Sequence, residues 1–255
     1  MDRPRTDEIA DGIIRIAAFL PDAVGARGIT VNQFLVLAEE PLLFHTGLRS
    51  VFPETLGALA RFVDPAGLRW VSFGHVEADE CGGLDPLLAA CPRTTVAFGS
   101  LGCALSLDDV LGERRPRPLA PGEALDLGGR RVIAIPTPHA PHNQEAQVLF
   151  EQTTGTLLCG DLFTQLGDGP PLTSECLVER ALDAEDVLRS APVGPAVPDA
   201  LDHLAGYGPR TLATMHGTSY EGDGAAALRE LAAAWRARAP RHEAGALAPA
   251  GWLGP

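Results

Sequence analysis

Four apolar runs of strand length, each followed closely by a histidine or an aspartate, constrain the fold of this chain most. The runs and the residues after them are "LRWVSFG" (68–74) with His75, "RVIAIP" (131–136) with His139 and His142, "GTLLCG" (155–160) with Asp161, and "RTLATM" (210–215) with His216. Sites in α/β proteins are built where strands end at one edge of a sheet. We therefore expect these side chains to meet at one sheet edge.

The order of the predicted elements indicates the layers around that edge. Hairpins are predicted at 31–47, turning at 39–41, and within "EALDLGGRRVIAIPTPH" and "AQVLFEQTTGTLLCGD". Helices are predicted at 53–63, near 175–190, at 197–206 and at about 223–238. Both halves run from hairpins to strands with helices, which favours one α/β domain over residues 1–238, with two sheets inside and helices outside. The tail, 239–255, is rich in Pro, Ala and Gly and is predicted to be disordered.

The charge and the basic residues exclude several function classes. The net charge is −13, which argues against a nucleic-acid partner because phosphate binding needs a basic stripe. All 20 basic residues are Arg, so a Schiff-base lysine and a P-loop lysine are excluded. No apolar run approaches the roughly 20 residues of a membrane span, and the N-terminal segment lacks the apolar core of a signal peptide. The chain is therefore expected to be cytoplasmic, without a membrane partner.

The five cysteines do not form a recognisable pattern. Their number is odd, their spacing is irregular and no CxxC is present, so a disulfide framework or a zinc knuckle is not expected. Buried small side chains explain most of them. Cys81 differs from the others because it adjoins an acidic cluster.

That cluster, "HVEADE" at 75–80, places three acids beside a histidine. Repulsion makes such a group unfavourable unless water screens it on a surface loop or a metal neutralises it. In an extended segment alternate residues point the same way, so His75, Glu77 and Asp79 would share one side, with Glu80 turning in from the other. This arrangement can serve two ions, and a solvated acidic loop is the alternative.

These residues carry a family resemblance over about residues 10–236. The chain resembles the metallo-β-lactamase superfamily, an αββα sandwich of two mixed β-sheets flanked by helices, and within it the flavodiiron proteins and their oxygen-binding relatives. The hydrolase branch has HxHxDH, whereas this chain has the flavodiiron pattern HxExD, with Glu77 in the second histidine position. His142 precedes Asp161 by the nineteen positions that the family requires, and His216 lies in the expected "HG".

The resemblance implies a site for two metal ions. The implied ligands are His75, Glu77, His142 and Asp161 for the first ion, and Asp79, Glu80, Asp161 and His216 for the second. His139 and Cys81 are expected beside the ligands without binding metal. Two departures stand out: relatives usually have His where this chain has Glu80, and often an acid where it has His45. Glu80 either binds the second ion or leaves the position to water, and His45 is expected to be a structural support.

The function implied is a non-haem diiron protein that binds O2 and, if it turns over, reduces O2 or NO. Two Fe ions are the expected cofactors, with Zn or Mn as alternatives, since oxygen-rich sites with imidazole suit iron or manganese. No flavin-phosphate loop is recognisable, so no FMN site is expected in this chain, and electrons would come from a separate flavodoxin-like or rubredoxin-like donor. The alternative functions are a binuclear metallo-hydrolase and a scaffold without metal. The sequence does not decide whether the chain is an enzyme or an O2 sensor, or whether it is a monomer or a homodimer.

Overall fold

Two seven-stranded sheets lie face to face in the computed structural model, which describes residues 4–192 and 194–243, without the side chains of 239–243. The first sheet has the order β1-β2-β3-β4-β5-β6-β7 and the second the order β12-β14-β13-β11-β10-β9-β8. The strands are β1 (Arg5–Ala10), β2 (Ile13–Leu20), β3 (Ile29–Val36), β4 (Leu42–Phe44), β5 (Trp70–Ser72), β6 (Thr95–Gly99), β7 (Arg117–Leu119), β8 (Ala124–Asp126), β9 (Arg131–Pro136), β10 (Gln147–Glu151), β11 (Thr156–Leu158), β12 (Leu172–Thr173), β13 (Thr211–Ala213) and β14 (Ser219–Glu221).

Helices cover the outer faces of both sheets. They are α1 (Phe52–Leu59), α2 (Ala78–Cys81), α3 (Leu84–Ala90), α4 (Ser100–Gly102), α5 (Asp108–Val110), α6 (Val178–Leu188), α7 (Ala196–Ala205) and α8 (Gly224–Glu243), with a π-helical turn at Cys103–Leu107 and short 3-10 turns at Gly25–Arg27, Arg49–Val51 and Pro65–Gly67. The predicted αββα layering is confirmed.

Strand β3 shows why the sequence adopts this layering. All eight of its residues are buried, so the strand is covered on both faces rather than alternating with solvent. Phe34 and Val36 pack into the core between the sheets, whereas Leu35 packs into the core beneath α1 and α3. Each such side chain contributes about 1.5–3 kcal/mol when it is buried. A strand with this pattern is stable only when it is covered on both sides.

The connections bring the ends of four strands together. Strand β4 is parallel to β5, and β11 is parallel to β13, so the loops after β5, β11 and β13 leave the sheets at their carboxyl edges. The two edges are joined directly, since the backbone N–H of Asn32 on β3 donates to the carbonyl of Met215 at 2.9 Å. This contact sets the loop of His216 against the first sheet.

Several sequence predictions need correction. Strand β1 was not predicted, because its charged sequence "RTDEIA" forms a half-exposed edge. The edge strand β7 was not predicted either, and two of its three residues, Arg117 and Pro118, are exposed. The last helix continues through residues 239–243, which were assigned to the disordered tail, and 244–255 lie outside the described residues. None of the helices described here is long and apolar enough to cross a membrane.

Candidate metal centre

Four loops deliver acidic and histidine side chains to one point between the sheets. The segment 75–80 follows β5, His142 lies in the loop between β9 and β10, Asp161 follows β11, and His216 follows β13. Each of these loops begins where an apolar strand ends, as the sequence predicted. Donor atoms of four of the residues lie within 4.8 Å of one another, which is a group that could hold a metal ion: His75, Glu77, His142 and Asp161.

Asp161 occupies the middle of the cluster. Its Oδ2 atom is 3.1 Å from Nε2 of His142, while its Oδ1 atom is 3.3 Å from Nε2 of His216. Oδ1 is buried and has no hydrogen-bond partner. One carboxylate therefore faces two different histidines with two different oxygens, which is the geometry that a bridging ligand requires.

The first group of donors lies on the Oδ2 side of Asp161. Nε2 of His75 is 2.7 Å from Oε2 of Glu77 and 3.9 Å from Oδ2 of Asp161. Nε2 of His142 is 3.5 Å from the same Glu77 oxygen. Two imidazole nitrogens and two carboxylates thus converge, and Glu77, which is half exposed, closes the group toward solvent.

The second group lies on the Oδ1 side. Nε2 of His216 is 3.3 Å from Oδ2 of Asp79 as well as from Asp161. Asp79 stands in the first turn of α2, and its Oδ1 atom is buried without a hydrogen-bond partner. Buried carboxylate oxygens without partners are costly unless a cation or a proton satisfies them. The residues present therefore fit a cation site.

A different acceptor atom faces the outer nitrogen of each histidine. Nδ1 lies 3.2 Å from Oε1 of Glu80 in His75, 3.2 Å from Oδ1 of Asn143 in His142, and 3.0 Å from the carbonyl of Thr30 in His216. A hydrogen bond from Nδ1–H selects the tautomer in which Nε2 is free to ligate. All three rings thus present Nε2 to the centre.

The charges of the cluster are strongly coupled. Burial by itself would lower the pKa of His75, but Glu80 and Glu77 outweigh it and raise the pKa to about 11. Burial also opposes the shift at His216, whose pKa is held well above its usual value by Asp161 and Asp79. In turn, His142 and His216 hold the pKa of Asp161 well below its usual value in spite of burial. Protons balance the carboxylates in the protein without metal, so metal binding would displace them.

Glu80 lies elsewhere than the sequence led us to expect. Its carboxylate is fully buried behind His75, where it accepts from the backbone N–H of His75 at 2.6 Å, and it does not line the cavity over the donors. Its position therefore does not support the expected ligation of the second ion. The sequence left both possibilities open for Glu80, because the direction of a side chain in the first turn of a short helix leaves no sequence pattern.

The two residues expected beside the ligands have different surroundings. His139 is exposed and does not line the cavity. Cys81 lies close by and donates its thiol hydrogen to the carbonyl of Glu77 at 3.2 Å. Burial raises the pKa of this thiol to about 11, so it is protonated at neutral pH. Only Cys81 of the two therefore contacts the donor segment.

A cavity of about 530 Å³ opens over the cluster. Glu77, Asp79, Asp161, His142 and His216 form its polar floor, and its walls are mainly aliphatic: Leu20, Ala23, Val24, Ile29, Val31, Leu48 and Leu188. Val24 has a left-handed backbone, with φ 53°, which is unfavourable for a β-branched residue and is characteristic of functional loops. The charged cluster therefore faces a largely apolar chamber.

The chain is similar in sequence to a known protein family and to several of its members. The sequence model of the family described as "ODP family beta lactamase" matches residues 29–183. Putative diflavin flavoprotein A 3 of Synechocystis sp. is 28% identical over 204 residues, which are 75% of this chain and 33% of that protein. Rubredoxin-oxygen oxidoreductase of Megalodesulfovibrio gigas is 27% identical over 205 residues, 76% of this chain and 50% of that protein.

Solved structures show the same fold. A variant of the flavo di-iron protein from Thermotoga maritima superposes with a TM-score of 0.81 at 20% identity, covering 92% of this chain and 62% of that one. The chain spans about a third to a half of the length of the two curated relatives named above. Because the family match covers more than half of the chain and the fold agrees, the chain belongs to the ODP beta-lactamase-like family, which has the metallo-β-lactamase fold.

Proposed function

We propose that this chain is a non-haem diiron protein that binds O2. The observation that carries the proposal is the position of Asp161, whose two oxygens face His142 and His216 on opposite sides. In this proposal the first ion is held by His75, Glu77, His142 and Asp161. The second ion is held by Asp79, Asp161 and His216.

The donor chemistry favours iron over zinc. Glu77 stands where a hydrolase of this fold has a histidine, so three carboxylates and three imidazoles face the two positions. Hard oxygen donors with imidazole suit iron or manganese, whereas zinc sites rely more on histidine and cysteine. Two divalent ions against three carboxylates leave one positive charge, which a bound anion such as hydroxide can balance.

The second position has room for an external ligand. With Glu80 behind His75, only three side chains are assigned to the second ion, and the cavity lies over Asp79 and His216. Its aliphatic walls favour an apolar diatomic molecule over a charged substrate. Two ferrous ions would supply two electrons and a binding place for such a molecule.

Reduction of O2 to water takes four electrons and four protons, so turnover needs an external donor. The name of the Megalodesulfovibrio relative couples rubredoxin to oxygen. For the present chain we propose a separate flavodoxin-like or rubredoxin-like donor if it reduces O2 or NO, and reversible O2 binding if it does not.

The test is metal content together with an optical spectrum, on protein made with iron and purified without air. About two Fe per chain, with a new near-ultraviolet or visible band when O2 is added to the reduced protein, is the expected result. Two Zn ions that resist replacement, with no response to O2, would overturn the proposal and favour a metallo-hydrolase.

A further inference from the structure

Glu80 is a fully buried carboxylate with both oxygens directed at a single residue. Oε2 accepts the backbone N–H of His75 at 2.6 Å, and Oε1 lies 3.2 Å from Nδ1 of the same residue. A buried carboxylate is costly unless it is paired and hydrogen-bonded. Here its two shortest contacts are to one histidine, one to the backbone and one to the ring.

The neighbouring backbone is shaped to admit this carboxylate. A Cβ added at Gly74 would lie 2.8 Å from Oε1 and 3.0 Å from Oε2 of Glu80. A Cβ at Gly160, on the loop that leads to Asp161, would approach Oε1 to 3.7 Å. The space for the Glu80 headgroup thus exists because position 74 has no side chain.

A third group contacts the same carboxylate. Nε2 of His45 is 3.5 Å from Oε1 of Glu80, and Nδ1 of His45 is 3.3 Å from the carbonyl of Asn32. His45 is itself fully buried. His45 therefore braces Glu80 from the side opposite the metal donors and limits where its headgroup can move.

The geometry points to Glu80 as a positioning residue for His75: its unpartnered Oε1 atom, 3.2 Å from Nδ1, is placed to accept the Nδ1–H when metal binds, which leaves the Nε2 lone pair for the metal. This inference rests on the metal-binding part of the proposed function. Glu80 thereby acts through His75 instead of ligating the second ion. The carboxylate is needed because it offers two acceptors, one for the backbone N–H and one for Nδ1–H.

An amide cannot replace it. Glutamine in the same position has one acceptor oxygen and one NH2 donor, so either the backbone N–H or the Nδ1–H of His75 would face a donor. The ring would then favour the tautomer with a proton on Nε2, which cannot ligate. Of the three histidines, only His75 has a carboxylate at Nδ1, since His142 and His216 have an amide and a backbone carbonyl. Binding of the first ion should therefore depend on residue 80 more strongly than binding of the second ion does.

The experiment compares the full chain with Glu80→Gln and with a matched control, Glu151→Gln. Glu151 is also fully buried and accepts two backbone N–H bonds, from Thr153 and Thr154, but it lies on β10 outside the site. Metal-free protein is titrated with Zn2+ against a competing chelator. We expect Glu80→Gln to bind one of two zinc equivalents about 10–100-fold more weakly, with the other equivalent and the control unchanged.

A second readout needs no variant. In zinc-loaded wild-type protein labelled with ¹⁵N-histidine, His75 should be bound through Nε2 with a hydrogen-bonded proton on Nδ1. Ligation through Nδ1, or wild-type zinc affinities in a folded Glu80→Gln, would overturn the inference while leaving the proposed function intact. A wild-type chain that takes up neither Zn2+ nor Fe2+ would instead refute the metal site itself, and with it the proposed function.

Discussion

The imidazole of His45 faces the carboxylate of Glu80 in a fully buried pair, with Nε2 3.5 Å from Oε1. Burial lowers the pKa of His45, and Glu80 opposes that shift only in part. Nε2 of His45 has no hydrogen-bond partner of ordinary geometry, and Oε1 of Glu80 has none either, although Nδ1 of His75 lies 3.2 Å from it on the other side. The oxygen Oε1 of Glu80 therefore lies between the rings of two histidines, His45 and His75.

Removal of the His45 ring should destabilise the protein. His45 has a left-handed backbone, φ 69°, so His45→Asn is the suitable change because Asn tolerates this conformation. It removes a buried ring whose two nitrogens face Oε1 of Glu80 and the carbonyl of Asn32, and the loss of such a buried polar partner costs about 1–3 kcal/mol of the free energy of unfolding. Urea unfolding measures the loss. The exposed His203→Asn is the control and should change the stability by less than about 0.5 kcal/mol; equal effects would contradict the role given to His45.

Gly74 should not tolerate a side chain, although its backbone conformation would permit one. Gly74→Ala places a methyl group 2.8 Å from the buried Glu80 carboxylate, and such overpacking costs about 1–3 kcal/mol. Because the displaced carboxylate also holds His75, we expect weaker metal binding. Thermal unfolding and zinc titration measure the two effects.

Gly57 provides the matched control, since it lies inside α1 with nothing within 4 Å of an added Cβ. Gly57→Ala should stabilise the protein by roughly 0.5–1 kcal/mol through helix propensity. If both alanines had the same effect, the crowding at Gly74 would be absent.

Much of the fold and part of the site could be predicted from the sequence. Continuous apolar runs indicated strands buried on both faces, and the residues directly after them indicated where the donors meet. The two departures from the family pattern, at positions 45 and 80, were treated as unrelated, yet the structure places them in contact. Their contact depends on the space at Gly74, and the acceptor for His216 is the main-chain carbonyl of Thr30. No sequence pattern marks the space that a glycine leaves for another side chain, and none marks a backbone carbonyl that accepts from a histidine.

The two histidines of the 137–146 loop should differ in their effect on metal content. His142 directs Nε2 at Asp161, whereas His139 is exposed. His142→Ala should therefore abolish binding of the first ion, and His139→Ala should keep two ions bound. Elemental analysis after reconstitution with Fe2+ measures the number of iron ions per chain. Loss of iron in His139→Ala but not in His142→Ala would show that the wrong histidine was chosen.

Without metal, the stability should fall as the solution becomes alkaline. The pKa of His75 is about 11 in the folded protein and about 6.5 when unfolded, because Glu80 and Glu77 outweigh the effect of burial. Since the folded state binds the extra proton, the stabilisation is fully present below pH 6.5 and is lost progressively as the pH rises toward 11. The raised pKa of His216 acts in the same direction.

The measurement is the melting temperature of chelator-treated protein, which should decline between pH 6 and pH 10. The variant His75→Gln should show a flatter decline. An identical slope in that variant would exclude His75 as the source of the pH dependence.

Cys81 should be unreactive at neutral pH even though it lies next to the donors. Its pKa is raised to about 11, chiefly by burial, and its thiol donates to the carbonyl of Glu77. The thiolate is the reactive form, so alkylation by iodoacetamide should be slow at pH 7 and should still accelerate above pH 9. Because the exposed Cys176 would react first, the rate is measured in a Cys176→Ser background, with labelling of Cys81 identified by peptide mass analysis.

Cys81→Ser keeps a hydroxyl donor for the Glu77 carbonyl, so metal content and the optical response to O2 should be unchanged. Rapid alkylation of Cys81 at pH 7, or a lost O2 response in Cys81→Ser, would instead make this thiol a working part of the site.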